Sequence, residues 1–496
     1  MNFLKTFVLM SLLTISSSIV SQNSNIFLQR DFWKTKPTIE IVEQKIKEGN
    51  SATQLNRWGF DAIAYALLEN TELDVIKHLL TKEGNDINKL THDGRTYIFW
   101  AAYKNNMPVV KYLLANKAKT DIIDDKGYSL LNFAAVAGVQ NPKLYDLLIE
   151  NGANVLTEKT PKGANPLLLI IPNLRDFTMV EYFTKKGLSI NDTDNNGNGV
   201  FNYVAQKDNR KMLALLIKKG VPYKNTNKNG GNAMLFATKG SRRGYNSLEY
   251  FKYLEGLGIA PNITNNDGKT PLHNLSYGNK DLSTLQYFIE KGVDVNQTDN
   301  KGNTPLLNAA GRNSIEVIKL FVKSTKNINH TNKDGHSALT FALRNNTEAA
   351  TFLIENGADV HINDAKGNHL GYYLFKTYSS KNEKAFDKKL NTLAAKGLIV
   401  ETPQKDGNTL YHLAVEKQSI PMLDFIKKYK IDINAKNSKG LTALQQAVMT
   451  GKNDTVIKHL ITQGANTKVK TDFDETLYDL AKENEALKNI DISFLK

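Results

Sequence analysis

Two hydrophobic periods follow one another along this chain, and the stretch Asp267–Asn300 shows both. Leu282, Leu285, Phe288 and Ile289 recur at helical spacing and predict an amphipathic helix that Gly292 closes. Ahead of it, Thr270 suits the cap of a shorter helix and Pro271 its first position, where a missing N–H costs nothing. Behind it, Val293 and Val295 alternate like a short extended arm. Gly268 supplies the turn that opens the unit. The order is turn, helix, turn, helix, hairpin arm, and it restarts at Gly302 with Asn303-Thr304-Pro305-Leu306.

The turn glycines stand in phase at Gly59, Gly94, Gly127, Gly163, Gly197, Gly230, Gly268, Gly302, Gly335, Gly367, Gly407 and Gly440, with spacings of 32 to 40 residues. Thr270-Pro271-Leu272-His273 opens one unit. Thr304-Pro305-Leu306, Ser337-Ala338-Leu339, Thr409-Leu410-Tyr411-His412 and Thr442-Ala443-Leu444 repeat it in part. Asn151-Gly152-Ala153-Asn154, Gly357-Ala358-Asp359 and Gly464-Ala465-Asn466 mark unit ends. A period near 33 with this core resembles the ankyrin repeat, from about Ile26 to the C-terminus. The resemblance implies an all-α solenoid of helix-turn-helix units with short β-hairpin tips, about thirteen or fourteen including caps. It also implies that His273 and His412 are structural, bonding neighbouring turns.

Repetition has a physical reason. One unit offers about eight apolar side chains worth roughly 1.5–3 kcal/mol each. Ordering its backbone costs roughly 1–2 kcal/mol per residue. A lone unit loses that balance, whereas a stack buries both sides of each helix pair.

The ends read as caps. Residues 22–56 form a degenerate first unit: Phe27, Leu28, Phe32 and Trp33 predict a short helix that Pro37 breaks, and Ile39, Val42 and Ile46 a second. The array runs over 57–470, and 471–496 forms a polar final unit that begins at Glu475-Thr476-Leu477-Tyr478. The Gly163 unit is irregular: Leu168–Ile171 is an apolar run closed by Pro172, predicting a short, buried inner helix. The two long spacings imply insertions between helices at Gly240–Gly244, which includes Arg242 and Arg243, and at Tyr378–Asn382. Both are expected as exposed loops, a common place for function.

Residues 1–21 carry a basic start, the apolar run Phe7–Ile15, and small residues up to Ser21. This is the pattern of a secretory signal peptide, and it predicts an exported, periplasmic or extracellular protein. No later run is apolar for long enough to cross a membrane. The absence of cysteine excludes disulfides, thiol catalysis and cysteine-held zinc. With 41% hydrophobic and 23% charged residues the composition is that of a folded chain. The formal net charge of +14 favours acidic partners or polyanions.

Candidate chemistry is sparse. Asp192–Gly197 imitates the start of a calcium loop, but the twelfth position holds Tyr203 where a bidentate glutamate is needed. Gly335-His336-Ser337 resembles part of a nucleophile elbow, yet Leu339 stands where its second glycine belongs. The nine histidines form no metal-binding pair, and no phosphate-binding glycine loop occurs. No enzyme activity, cofactor or metal is expected.

The ankyrin resemblance implies binding by hairpin tips and exposed inner-helix ends. By register, Lys104, Lys207, Lys239, Arg312, Arg344, Lys376 and Lys417 fall at those ends. Arg95 and Lys269 follow turn glycines on the same side, and Tyr103 and Tyr277 add aromatic contact. Together they predict a basic stripe on a concave face, interrupted by Glu69 and Glu416. The expected function is a monomeric, protein-binding scaffold whose partner the residues do not name. The alternatives are a binder of polyanions or envelope components, with nucleic acid disfavoured, and an enzyme with its site in the inserted loops.

Overall fold

The computed structural model describes residues 25–241 and 244–496. The predicted signal segment and Arg242–Arg243 of the first inserted loop lie outside the described residues. The chain divides into two compact units, the first ending at Tyr203 and the second beginning at Val204. Each is built of the same element, a short inner helix followed by an outer one of equal or greater length.

Inner helices run five to eight residues and outer helices seven to twelve. Helices this short do not persist alone in water, so packing must hold them. In the first unit Tyr97–Tyr103 packs on Ala62–Leu68 behind it, Leu130–Ala137 ahead of it, and its own outer helix Met107–Ala115. In the second unit Ala338–Asn345 lies in the same way between Pro305–Ala310 and Leu370–Phe375, against Thr347–Glu355. The inner helices are almost wholly buried, as Ala62–Leu67 and Tyr97–Ala102 illustrate. Their starts are fastened by side-chain caps: Asp61, Ser129, Asn165, Asn232, Thr304 and Ser337 each accept a first-turn backbone N–H.

All twelve turn glycines adopt φ between 70° and 81°. Beside them, a side-chain oxygen shapes each tip. Asp299 Oδ1 accepts from the amides of Lys301 and Asn303, both at 2.9 Å, and Asn332 Oδ1 from Asp334 and His336, both at 3.0 Å. Successive tips are then joined backbone to backbone. Asn300 N donates to Asp267 O at 2.7 Å, Lys333 N to Lys301 O at 3.0 Å, and Ala365 N to Asp334 O at 2.9 Å. These bonds keep the predicted hairpins to their tips. Among the described residues extended pairing is limited to single bridges, such as Thr331 with Ser337 and Asn363 with His369. The groups that would lengthen a ladder are taken by the turn side chains and by the next tip. Val293 and Val295 are buried instead.

A second tie follows the outer helices. Asn88, Asn296 and Asn329 each donate from Nδ2 to a carbonyl of the next repeat, at Lys117, Ser324 and Gly357. Their Oδ1 atoms accept from the amides of Lys119, Lys326 and Asp359. Asn434 Oδ1 likewise accepts from Asn466 N.

The irregular Gly163 repeat has a five-residue inner helix, Pro166–Ile170, continued by a 3-10 turn over Ile171–Asn173. At the start of the described chain the first predicted helix is split into a 3-10 turn, Ile26–Leu28, and Arg30–Lys34. Trp33 is fully buried there and donates from Nε1 to Phe27 O at 2.9 Å. In the second insertion residues 379–382 are exposed, as the composition suggests, but Tyr378 is not. Tyr378 is 6% exposed, with its ring 5.0 Å from Phe386 and 4.7 Å from Phe425, and the added length becomes the twelve-residue helix Glu383–Ala394. Apolar partners on two helices draw the tyrosine inward. Lys389 on that helix is buried, donates to Leu343 O at 2.8 Å, and has its pKa pushed down by burial.

Close stacking of tips makes a prediction. A Cβ at Gly268 would overlap the Thr298 carbonyl oxygen in the next hairpin, whereas one at Gly464 meets nothing within 4 Å, and both residues have positive φ. Gly464→Ala should cost only the backbone strain, about 1–2 kcal/mol. Gly268→Ala should cost about 1–3 kcal/mol more, by overpacking. Denaturant titration of the two variants measures the difference, and equal losses would show that the tips do not bear on one another.

Candidate interaction surface

The motif residues resolve into structural parts. His273 Nδ1 lies 3.1 Å from the Thr270 amide and 2.9 Å from its hydroxyl, while Nε2 donates to Asn303 O in the next hairpin at 3.0 Å. His412 repeats this with Thr409 and with Leu441 O at 3.0 Å. Burial lowers the pKa of both rings. The neutral ring therefore accepts at Nδ1 and donates at Nε2, tying two repeats. Ser337 is buried and caps its helix by accepting from Thr340 N. The carboxylate of Asp194 in the calcium-like stretch is filled by the amides of Asn196 and Asn198, the Asn198 side chain and the Tyr203 hydroxyl. Among the described residues no group of His, Asp and Glu is placed to hold a metal ion. None of the helices there is long and apolar enough to cross a membrane.

The stripe residues have unequal surroundings. Arg95 does not stand out as an exposed cation. It is 8% exposed, with its guanidinium 2.7 Å from Asp124 Oδ2 and 3.2 Å from Asp93 Oδ2, and it lies 4.3 Å above Phe133. Two carboxylates and an aromatic ring recruit it as a brace between hairpins. Lys417 donates to Lys376 O at 2.6 Å, and burial together with the Lys376 charge lowers its pKa. Lys376 pairs with Glu416 at 3.4 Å and lies over Tyr372. Lys239 covers the Phe236 ring at 3.6 Å, and together with Lys207 it lines a cleft of about 370 Å³ beside the first insertion.

The remaining predicted residues are more open. Tyr103 is 42% exposed and stacks on Phe133, with Lys104 beside it. Tyr277 is 49% exposed. Lys269 is exposed on its hairpin, and Arg312 is exposed with no ion pair and no hydrogen bond from its guanidinium. Arg344 is exposed and lies 4.8 Å above the Tyr373 ring. Tyr277, Arg312 and Arg344, from three successive repeats, line one cavity of about 330 Å³ with Lys301, Asn308, His336 and Phe341.

Register had missed a set in the first unit. Leu55, Leu90 and Ile123 are exposed, each four residues before a turn glycine, and Trp58 and Val136 are exposed at other hairpin and inner-helix positions. Recurrence of apolar residues at that fixed offset was the available signal. Charge also divides unevenly. Residues 25–203 hold 21 basic and 21 acidic side chains, while 204–496 hold 42 and 29, so the net positive charge resides in the second unit.

Comparison with known proteins agrees with this architecture. A family model for ankyrin repeats (3 copies) matches residues 39–159 and 272–364, one stretch in each unit. An ankyrin repeat protein of Acanthamoeba polyphaga mimivirus is 24% identical over 422 residues, covering 79% of this chain and 49% of that protein. A palmitoyltransferase of Candida glabrata is 26% identical over 172 residues, covering 34% of this chain and 21% of that enzyme. Among solved structures, a chain of the complex of a predatory endopeptidase from Bdellovibrio bacteriovorus with an immunity protein matches at TM-score 0.33 and 27% identity, covering 39% of this chain and 97% of that one. This chain spans half or less of the length of the first curated relatives it matches.

Proposed function

We propose that this chain, which resembles ankyrin-repeat proteins in its motifs, its helix pairs and its relatives, is an exported, non-enzymatic scaffold that binds a protein through its hairpins and inner-helix ends. Ankyrin repeats imply a protein-interaction scaffold. The observation that supports this surface is that packing leaves part of it unused. Tyr103 is half-exposed, and the Arg312 guanidinium has no intramolecular partner, although aromatic and arginine side chains are those that anchor interfaces. A stacked array presents such groups already fixed in place, so binding orders little. Export rests on the composition of residues 1–21. The +13 balance of residues 204–496 favours a second reading, a binder of polyanions in the envelope.

Photo-crosslinking in the producing cell separates the readings. A benzophenone side chain placed at Tyr103 or Arg312 should give discrete protein adducts in the envelope and exterior fractions. The same group at Lys111 or Lys319, on outer helices, should give few. Equal labelling at all four positions, or adducts to polysaccharide alone, would remove the scaffold. Adducts confined to the cytosol would remove export.

A further inference from the structure

The cavity lined by Tyr277, Arg312 and Arg344 has the makings of a defined ligand site. Its volume of about 330 Å³ is near the small end of ligand sites, which run about 300–1,000 Å³, and suits one side chain with its neighbours. Three cations line it, Lys301, Arg312 and Arg344, against one carboxylate, Asp334. None of the three has an ion-pair partner.

The two arginines are held differently. Arg344 rests on a platform: Tyr373 lies 4.8 Å beneath its guanidinium, and the Tyr373 hydroxyl donates to Asp364. With that proton committed, His336 Nε2–H must be the donor to the Tyr373 oxygen, at 2.8 Å. Burial and the Arg344 charge lower the pKa of His336, so the ring is neutral near pH 7 and leaves the charge to the arginines. Arg312 is near enough to Tyr277 to oppose the rise that burial causes in that phenol's pKa. Aromatic faces of Tyr277 and Phe341 complete the walls.

Two guanidiniums with free donor forks, in a cavity with aromatic walls, match a carboxylate carried on a peptide. Asp334 among the lining residues lowers the net positive charge and so reduces the advantage a dianion such as phosphate would have over a single carboxylate. We infer that this cavity takes an Asp or Glu side chain of an acidic protein segment, gripped between Arg312 and Arg344, with adjoining residues against Tyr277 and Phe341. The inference rests on the protein-binding reading and deepens it.

The test uses the full chain, fluorescein-labelled hexaglutamate and hexaglutamine peptides, and inorganic polyphosphate as competitor. Arg312→Gln/Arg344→Gln should weaken hexaglutamate binding about tenfold or more. Lys323→Gln/Lys326→Gln removes the same charge from exposed positions beyond the outer helix of the same repeat, and should weaken it less than about twofold. Arg312→Gln alone breaks no hydrogen bond and no ion pair, and should retain the native melting temperature with a partial loss of binding. Equal losses from both pairs, hexaglutamine binding as well as hexaglutamate, or a larger effect of the arginine pair on polyphosphate than on hexaglutamate would overturn the assignment. Protein adducts at positions 103 and 312 together with arginine-independent peptide binding would leave the scaffold standing and remove this site. Arginine-dependent peptide binding without protein adducts would do the reverse.

Discussion

Asp61→Ala should destabilise the first unit by about 3–5 kcal/mol, the usual result of orphaning one partner of a buried ion pair. Asp61 is fully buried and joins three elements. It caps its own helix by accepting from Ala64 N at 2.9 Å, accepts from the Tyr97 hydroxyl of the next repeat at 2.7 Å, and pairs with Lys89 Nζ at 3.0 Å. Removing it takes the acceptor from the cap and the counter-charge from a largely buried ammonium, leaving Lys89 only the neutral acceptors Thr53 O at 2.7 Å and Asn85 Oδ1 at 3.0 Å, and the Tyr97 hydroxyl only Asn85 Oδ1 at 3.3 Å. Asp61→Asn keeps the cap acceptor and loses the charge, so it should cost less. Tyr97→Phe removes one hydroxyl and should cost about 1 kcal/mol. All three tryptophans, Trp33, Trp58 and Trp100, lie in residues 25–203, so tryptophan fluorescence during denaturant titration reports this unit alone. A loss below about 1 kcal/mol for Asp61→Ala would show that the network is not a cross-repeat tie.

The second unit should lose stability on mild acidification. Burial lowers the pKa of His273, His336, His369 and His412, opposed at His273, His369 and His412 by hydrogen bonds to the carbonyls of Asn303, Thr402 and Leu441. An unfolded histidine takes up its proton near pH 6.5. The folded rings stay neutral to lower pH, so over that interval the unfolded chain binds more protons. Stability is complete above about pH 6.5 and falls as pH drops through the depressed values. Each unit of depression contributes about 1.4 kcal/mol, and the four groups add. Lowering pH from about 7.5 to about 5.5 should move the circular-dichroism midpoint down further than the tryptophan midpoint. The protein itself supplies the control. At the equivalent position of the Thr442 repeat Gln445 completes the capping box, its Oε1 accepting from Thr442 N at 2.9 Å, while its Nε2 finds no partner. His273→Gln/His412→Gln should therefore cost about 1 kcal/mol per site for the lost bond to the next hairpin. It should also flatten the pH slope. A midpoint that rises on acidification, or a double variant with an unaltered slope, would contradict this account.

What could be read from residues alone was everything local. A helix start needs an oxygen and a turn needs positive φ, so Thr304, Ser337 and the twelve glycines announced the repeat. Helical spacing located the outer helices, and the Thr-Pro-Leu-His core carried the resemblance. The cation-bearing positions at inner-helix ends were legible as register, and Arg312, Arg344 and Tyr277 do share one cavity.

Other features depend on partners some thirty residues away, which no local pattern reveals. Arg95 occupies a position read as exposed, yet Asp124 and Phe133 of the next repeat bury it. Tyr378 reads as loop until Phe425 of the following repeat draws it in. Asp61 caps its own helix and becomes a tie between repeats only because Tyr97 and Lys89 reach it. Local order in this chain follows from backbone preference and hydrophobic period, both properties of neighbouring residues. Burial and ion pairing are set between repeats, and so only stacking decided which charged and aromatic side chains were left exposed.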